Sequence, residues 1–122
     1  MKRGIVLFAH GSRDPEWAQP FQKIRNALVG ARPECEVRLS YLDHMSPSLP
    51  EALADLNSAG VTSVQIVPLF FGLGGHLKED LPRLAAEAPR GLQVSIAPPI
   101  GEQEAVIEAI AAAIARGAPA SP

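Results

Sequence analysis

The sequence has one cysteine, no excess of basic residues and no long apolar run, and each of these limits what the protein can be. A single Cys among 122 residues excludes an internal disulfide and a zinc site built from thiolates. Lys and Arg number 11 against 13 Asp and Glu, which argues against sequence-independent nucleic-acid binding. No apolar run reaches the ~18 residues of a membrane helix, and the run at residues 5–9 is too short for a signal peptide. We therefore expect a cytoplasmic globular protein without a nucleic-acid or membrane partner.

Four short apolar runs alternate with helical patterns in a chain that is long enough for one domain with a real core. The runs cover residues 5–9, 37–42, 64–70 and 92–97. The first is continuous, as in a strand buried on both faces, whereas the second and fourth alternate, as at sheet edges. Pro68 has no N–H to donate, so we expect it near the end of the third strand.

Apolar residues at spacings of three and four between these runs predict four helices. Their stripes are Trp17, Phe21, Ile24, Leu28; Leu49, Leu53, Leu56; Leu77, Leu81, Leu84, Ala88; and Val106, Ile107, Ile110, Ile114. Ser48 and Glu51 form a capping box for the second helix, and Gly60 ends it. Pro20 and Pro82 lie inside two of the patterns, which predicts a late start or a kink.

The alternation of strands and helices predicts an α/β three-layer sandwich over residues 1–116, followed by a flexible tail at 117–122. The sheet is expected to have four mainly parallel strands in the flavodoxin-like order 2-1-3-4. Ligands of such sheets bind beyond the carboxyl ends of the strands, where the winding direction switches. In this order the switch lies between strands one and three.

Two of the three histidines follow these two strands. His10 comes directly after strand one, and His76 follows a glycine-rich loop after strand three. Imidazole is a common metal ligand and a proton acceptor near neutral pH, and a site without thiolates suits Co, Fe, Ni or Zn. Arg13 and Lys78 are placed to meet an anion at the same edge. The alternative is that both histidines only cap helices or bond to backbone. For His44, one strand further out, a surface or hydrogen-bonded histidine is the better interpretation.

Two segments of the chain resemble the short sirohydrochlorin chelatases, which are single-domain class II chelatases. They are H-G-S-R-D-P at residues 10–15 and G-G-H-x-K-x-D-x-P at residues 74–82, and their combination is specific. Further similarity lies at residues 45–49 and 97–101, so that the resemblance covers about residues 4–115. Residues 71–73, where bulkier side chains are frequent, and His44, where an acidic or apolar residue is expected, depart from the family pattern.

This family inserts Co2+ or Fe2+, and in some archaeal relatives Ni2+, into a tetrapyrrole. The resemblance implies that His10 and His76 bind the metal and accept the pyrrole protons, with no cofactor beyond the substrate metal. It also implies a set of residues that contact sirohydrochlorin: Gly11, Ser12, Arg13, Gly74, Gly75 and Lys78. Glu79 and Asp80 either orient His76 or occupy the first turn of helix three, and we favour the helix turn.

A single lobe of this size is too small to enclose a macrocycle, because ligand pockets usually bury most of their ligand. The longer members of the family have two similar lobes facing one cleft. We therefore expect a C2 homodimer that rebuilds such a cleft, with the apolar part of helix one or helix four at its interface.

Two other functions fit part of this pattern. A phosphohydrolase with a histidine nucleophile would want arginine immediately before His10, where Ala9 stands. A metal- or tetrapyrrole-carrying protein would use the same ligands as a chelatase and differs only in releasing no metallated product. The identity of the physiological metal does not follow from histidine ligation, which discriminates little among Co2+, Fe2+ and Ni2+.

Overall fold

Four parallel strands form one sheet, which a computed structural model describes together with its helices over residues 2–119. The strands are β1 (Arg3–Ala9), β2 (Cys35–Tyr41), β3 (Ser63–Pro68) and β4 (Gln93–Ile96). They lie in the order β2-β1-β3-β4, which confirms the predicted topology. In this order β1 and β3 form the centre of the sheet. Arg3 is in register with Cys35 on one side and Ser63 on the other, so the first residues of β2, β1 and β3 lie side by side.

Helices α1 (Gln19–Ala31), α2 (Leu49–Ser58), α3 (Leu77–Ala86) and α4 (Glu104–Gly117) follow the four strands. Short 3-10 turns at Pro15–Ala18 and Ile100–Glu102 precede α1 and α4. Of the two alternatives predicted for the helix that contains Pro20, the structure shows the late start. The 3-10 turn Pro15–Ala18 takes the place of the first helical turn, and α1 begins at Gln19. Pro82 lies inside α3, which continues past it to Ala86.

The hydrophobic core lies on one face of the sheet, under α2 and α3. Side chains alternate along a strand, so Val6 and Phe8 of β1 point to this face. The buried cluster comprises Val6, Phe8, Leu49, Ala52, Leu53, Leu56, Val61, Val64, Ile66, Phe70, Leu81 and Leu92. The predicted capping box fixes the start of α2: the Glu51 N–H donates to Ser48 Oγ at 3.3 Å and the Ser48 N–H donates to Glu51 Oε1 at 2.9 Å.

The other face of the sheet is only partly covered. Neither α1 nor α4 has a buried residue, although both carry the predicted apolar stripe. Ile114 of α4 is 67% exposed. The helix runs through Gly117, one residue past the boundary predicted for the domain, and residues 120–122 of the predicted tail lie outside the described part of the chain.

Among the helices of residues 2–119, none is long and apolar enough to cross a lipid bilayer.

Candidate functional site

The carboxyl ends of the two central strands carry the predicted histidines on neighbouring loops. The Leu69 N–H donates to the Phe8 carbonyl at 2.8 Å, which extends the β1–β3 pairing to the point where both chains leave the sheet. On the other side of β1, the Asp43 N–H donates to the His10 carbonyl at 3.0 Å. The backbone of His10 is therefore held beside the continuation of β2.

The imidazole of His10 rests against an anchored aromatic ring. Its ring centre lies 4.3 Å from that of Phe70, which is 6% exposed and itself packs edge-to-face on Phe8. His10 is exposed, so a ligand can reach it from solvent. A rigid hydrophobic support under an accessible imidazole suits a group that must hold a ligand in a defined position.

Gly11 lets the loop after His10 pass close to the loop after β2. Its φ is +89°, and a Cβ at this position would lie 1.8 Å from the Asp43 carbonyl oxygen. Only glycine fits this conformation and this approach. The resemblance singled out Gly11 as a substrate contact, and the structure gives it a backbone role as well.

His76 immediately precedes α3 and leaves its side chain available. Its carbonyl accepts hydrogen bonds from the N–H groups of Glu79 and Asp80 at 3.1 and 2.8 Å, whereas its side chain makes no capping hydrogen bond. Glu79 and Asp80 lie in the first turn of α3, and the Asp80 carboxylate is 3.5 Å from Arg83. These contacts agree with the helix-turn role favoured for the two acids.

A cavity of ≈ 400 Å³ lies between the loops that follow β1 and β2, and His10 is not among its lining residues. Its lining includes Ser12, Arg13, Tyr41, His44, Met45 and Ser46. Burial raises the pKa of the Tyr41 hydroxyl, with the charge of Arg25 opposing this, so the phenol stays neutral at physiological pH. The structure thus brings two predicted contacts, Ser12 and Arg13, into one cavity.

His44 lies on this cavity, where the sequence indicated a surface or hydrogen-bonded histidine. It is exposed as expected, but its backbone adopts a left-handed conformation with φ of +66° and its N–H donates to Asp43 Oδ1 at 2.8 Å. Its Nε2 lies 3.6 Å from Asp43 Oδ2. The signal that could have found it is its place after β2, at the same edge of the sheet as His10.

The predicted residues of the second loop do not line this cavity. Gly74 and Gly75 lie on the segment between β3 and α3, Lys78 is the second residue of α3, and Gly75 has a φ of +55°. Among residues 2–119, neither Arg13 nor Lys78 forms an ion pair with a carboxylate. Both cations therefore remain available to an anionic ligand. No three His, Cys, Asp or Glu side chains in the described part of the chain converge as metal ligands.

Comparison with known proteins identifies the family of this chain. The model of the CbiX family matches residues 4–117, nearly the whole chain. The chain belongs to the CbiX family. A relative named sirohydrochlorin cobaltochelatase, from Sulfurisphaera tokodaii, is 35% identical over 106 residues, which are 86% of this chain and 85% of the relative.

Two solved structures are similar to this CbiX chain over different shares of their own length. A CbiX protein from Marinobacter aquaeolei VT8 superposes with a TM-score of 0.80 at 31% identity, over 94% of this chain and 96% of the other. The sirohydrochlorin chelatase SirB from Bacillus subtilis subspecies spizizenii, in complex with cobalt, gives a TM-score of 0.71 at 26% identity. That match covers 95% of this CbiX chain but only 51% of SirB. This chain therefore corresponds to about half of a SirB molecule.

Proposed function

We propose that this chain is a chelatase that inserts a divalent metal ion, Co2+ or Fe2+ and on the same ligand chemistry Ni2+, into sirohydrochlorin. The observation that carries the proposal is the pair of accessible imidazoles, His10 and His76, beyond adjacent central strands of a CbiX-family sheet. The names of the relatives supply the substrate, and the chemistry of these two loops agrees with it.

His10 and His76 deliver the metal and accept protons. Insertion requires that the ion exchange its waters for pyrrole nitrogens while the inner N–H protons of the macrocycle leave. Two imidazoles occupy only part of the coordination sphere of the ion, which leaves positions for incoming ring nitrogens. As the metal transfers to the ring, each released imidazole nitrogen regains a lone pair that can take a pyrrole proton.

The cations and small residues of the two loops bind the rim of the macrocycle. Sirohydrochlorin carries carboxylates around its edge, and within the described residues neither Arg13 nor Lys78, which lie three and two positions along the chain from the histidines, forms an ion pair. Charge-assisted hydrogen bonds of this kind are shorter and about twice as strong as neutral ones. Ser12 and the backbone N–H groups of Gly11, Gly74 and Gly75 supply further donors to the same groups.

A homodimer completes the cleft in this proposal. The cavity between the loops after β1 and β2 is ≈ 400 Å³ and open, which is too small to bury a substituted tetrapyrrole. Since the chain matches half of SirB, two copies related by a two-fold axis would restore a two-lobed molecule. We place the protein in the cytoplasm on its cysteine usage, a single buried free thiol, which is typical of reducing compartments.

An anaerobic absorbance assay tests the function. Sirohydrochlorin is mixed with Co2+, Fe2+ or Ni2+, and the rate of metallation with the protein is compared with the spontaneous rate. We expect an accelerated rate that is lost in His10→Ala and in His76→Ala, with unchanged circular dichroism because both residues lie on exposed loops. Full activity in either variant would remove that histidine from the mechanism. Binding of both ligands without acceleration would instead identify a carrier protein.

A further inference from the structure

Two adjoining cavities form a groove at the outer edge of the sheet, between β2 and α1. One is the cavity between the loops after β1 and β2, and the other, also of ≈ 400 Å³, continues from it beside α1. Both linings include Gln22, Tyr41 and Ser46, so we treat the two as one site, the β2-edge groove. β2 lies on the opposite side of β1 from β3, and neither His10 nor His76 lines the groove. The groove is therefore separate from the two imidazoles.

The charges of the β2-edge groove are of one sign. In the described part of the chain no Asp or Glu is among its lining residues. Arg13 and Arg25 line its two halves, and within that same part neither forms an ion pair. Arg38, at the far end, is neutralised, since its Nε lies 2.6 Å from Asp55 Oδ2 and its Nη1 3.0 Å from Glu36 Oε2. In a chain of net charge −2, two uncompensated guanidiniums in one groove favour an anionic ligand.

The wall that α1 contributes holds Arg25 in place. Gln22, Arg25 and Asn26 follow one another at spacings of three and four residues, so they lie on the same side of the helix. Arg25 Nη2 donates to Asn26 Oδ1 at 3.0 Å. An amide oxygen carries no net charge, so this bond restrains the guanidinium without neutralising it. The remaining N–H groups of Arg25 can donate to a ligand.

Tyr41 lies where the two cavities meet. It is 7% exposed, and among the described residues its hydroxyl makes no hydrogen bond. Burial raises the pKa of this hydroxyl and the charge of Arg25 opposes the rise, so the phenol is a neutral donor close to the guanidinium. A buried polar group without a partner costs free energy. An acceptor bound in the groove would remove that cost.

The donors of the β2-edge groove fit carboxylates better than phosphate. Phosphate sites commonly use free backbone N–H groups at the start of a helix or in a glycine-rich loop. The groove instead runs along the side of α1, past Gln22 and Asn26. A planar guanidinium matches a carboxylate with two parallel hydrogen bonds. Because a cation lines each half of the groove, a ligand with more than one carboxylate suits it best.

We propose that the β2-edge groove binds a polycarboxylate anion through Arg13, Arg25 and the hydroxyl of Tyr41. The two histidines take no part in this site, which therefore goes beyond the proposed function. Two sources of the ligand share this chemistry. One is a free small polycarboxylate, and the other is the set of carboxylate side chains of a sirohydrochlorin molecule bound at the histidines. Only the second source rests on the proposed function.

Calorimetric titration of the metal-free protein with tricarballylate, a small tricarboxylate, tests the first source. We expect one site per chain, with a dissociation constant about tenfold larger in Arg25→Gln and about threefold larger in Tyr41→Phe, because each variant loses a donor. Lys23→Gln removes a charge from an exposed position of α1 outside the groove and should bind as the wild type does. Tyr41→Phe keeps the ring and removes a hydroxyl without a protein partner, so we expect its circular dichroism to be unchanged.

Fluorescence titration with sirohydrochlorin separates the two sources. If the side chains of the macrocycle occupy the groove, Arg25→Gln should raise the dissociation constant of sirohydrochlorin about tenfold relative to Lys23→Gln. If the ligand is a free polycarboxylate, these two variants should bind sirohydrochlorin equally, and only the binding of tricarballylate should be weakened by Arg25→Gln. Arg25 is the informative position because Arg13 is already assigned to the substrate in the proposed function.

Three results would overturn the proposal. If Arg25→Gln and Lys23→Gln bind tricarballylate equally and also bind sirohydrochlorin equally, the groove is not a carboxylate site. If Tyr41→Phe binds both ligands as tightly as the wild type, the hydroxyl is not a ligand. If inorganic phosphate binds as tightly as tricarballylate and depends equally on Arg25, the ligand class is wrong. A protein that binds tricarballylate through Arg25 without metallating sirohydrochlorin would instead keep the groove and lose the chelatase activity.

Discussion

Replacing Gly11 with alanine tests how the loop that carries His10 is held. Gly11 combines a left-handed backbone, φ +89°, with close contact to the loop after β2. A Cβ at this position would meet the Asp43 carbonyl oxygen at 1.8 Å and the Asp43 carbonyl carbon at 3.0 Å. Both partners are backbone atoms, which cannot rotate away as a flexible side chain would. One of the two loops must therefore move.

Two costs add in this variant. A left-handed conformation costs an alanine about 1–2 kcal/mol. Displacing Asp43 also breaks the hydrogen bond from its N–H to the His10 carbonyl, 3.0 Å long, which contributes about 1 kcal/mol. We expect a loss of about 2–3 kcal/mol in the free energy of unfolding, and a fall in Tm of roughly 10 °C for a domain of this size.

Thermal and urea unfolding measure this loss, with Gly72→Ala as the matched control. Gly72 lies in the other loop of the site, its φ is not positive and a Cβ there would have no neighbour within 4 Å, so its stability should change by less than about 0.5 kcal/mol. Equal stability of the two variants would refute the reasoning. Because the displaced loop carries His10, metallation by Gly11→Ala should also slow at a temperature where the variant is folded.

Three further predictions concern substrate binding, the capping box and the turn before α4. Arg13→Ala should weaken sirohydrochlorin binding about tenfold in a fluorescence titration, because one charge-assisted hydrogen bond is lost. Co2+ binding by this variant should not change, and the control Lys23→Ala, at an exposed site, should bind sirohydrochlorin as the wild type does. A larger loss of Co2+ binding than of sirohydrochlorin binding would refute the anion-binding role of Arg13. Ser48→Ala should lower the free energy of unfolding by about 1 kcal/mol. The Ser48 backbone N–H, and to a smaller extent its hydroxyl, hold the pKa of Glu51 below its ordinary value, so this stabilisation is present above that value and is lost as pH falls through the lowered pKa. Because Ser48→Ala keeps the backbone N–H that is the main donor, urea unfolding should show this loss in the variant as well as in the wild type. Gly101→Ala should cost about 1–3 kcal/mol through overpacking, since its Cβ would lie 2.5 Å from a loop Cα atom, and a wild-type Tm would contradict this.

The sheet could be predicted from the sequence because its signals are local. Each strand lies within two residues of its apolar run, and the two alternating runs are the edge strands. Pro68 is the last residue of β3, where its missing N–H leaves no gap in the ladder. Ser48 and Glu51 are spaced for a reciprocal cap and form one. In each case the residues that decide the structure are neighbours in the chain, or follow from the rules of parallel sheets.

The site could be predicted only to the level of its loops. His10 and His76 were selected because they follow adjacent strands, and the structure places both at that edge. The cavity that joins Arg13 to His44 depends on how the loop after β2 turns back, with Asp43 bonded to His10 and His44 in the left-handed region. Histidine adopts the left-handed conformation more often than most residues, but no local sequence pattern predicts it at His44. The contact between the loops after β1 and β2 joins residues that are far apart in the sequence, so it could be seen only in the structure.

The helices on the open face show a different limit of sequence periodicity. The stripe of α4 contains intervals of three and four residues, as that of α2 does, yet α2 buries Leu49, Leu53 and Leu56 whereas no residue of α4 is buried. Periodicity shows that a helix has an apolar face, and such a face is normally buried against another surface. It does not report whether the surface that covers the face belongs to the same chain or to another copy.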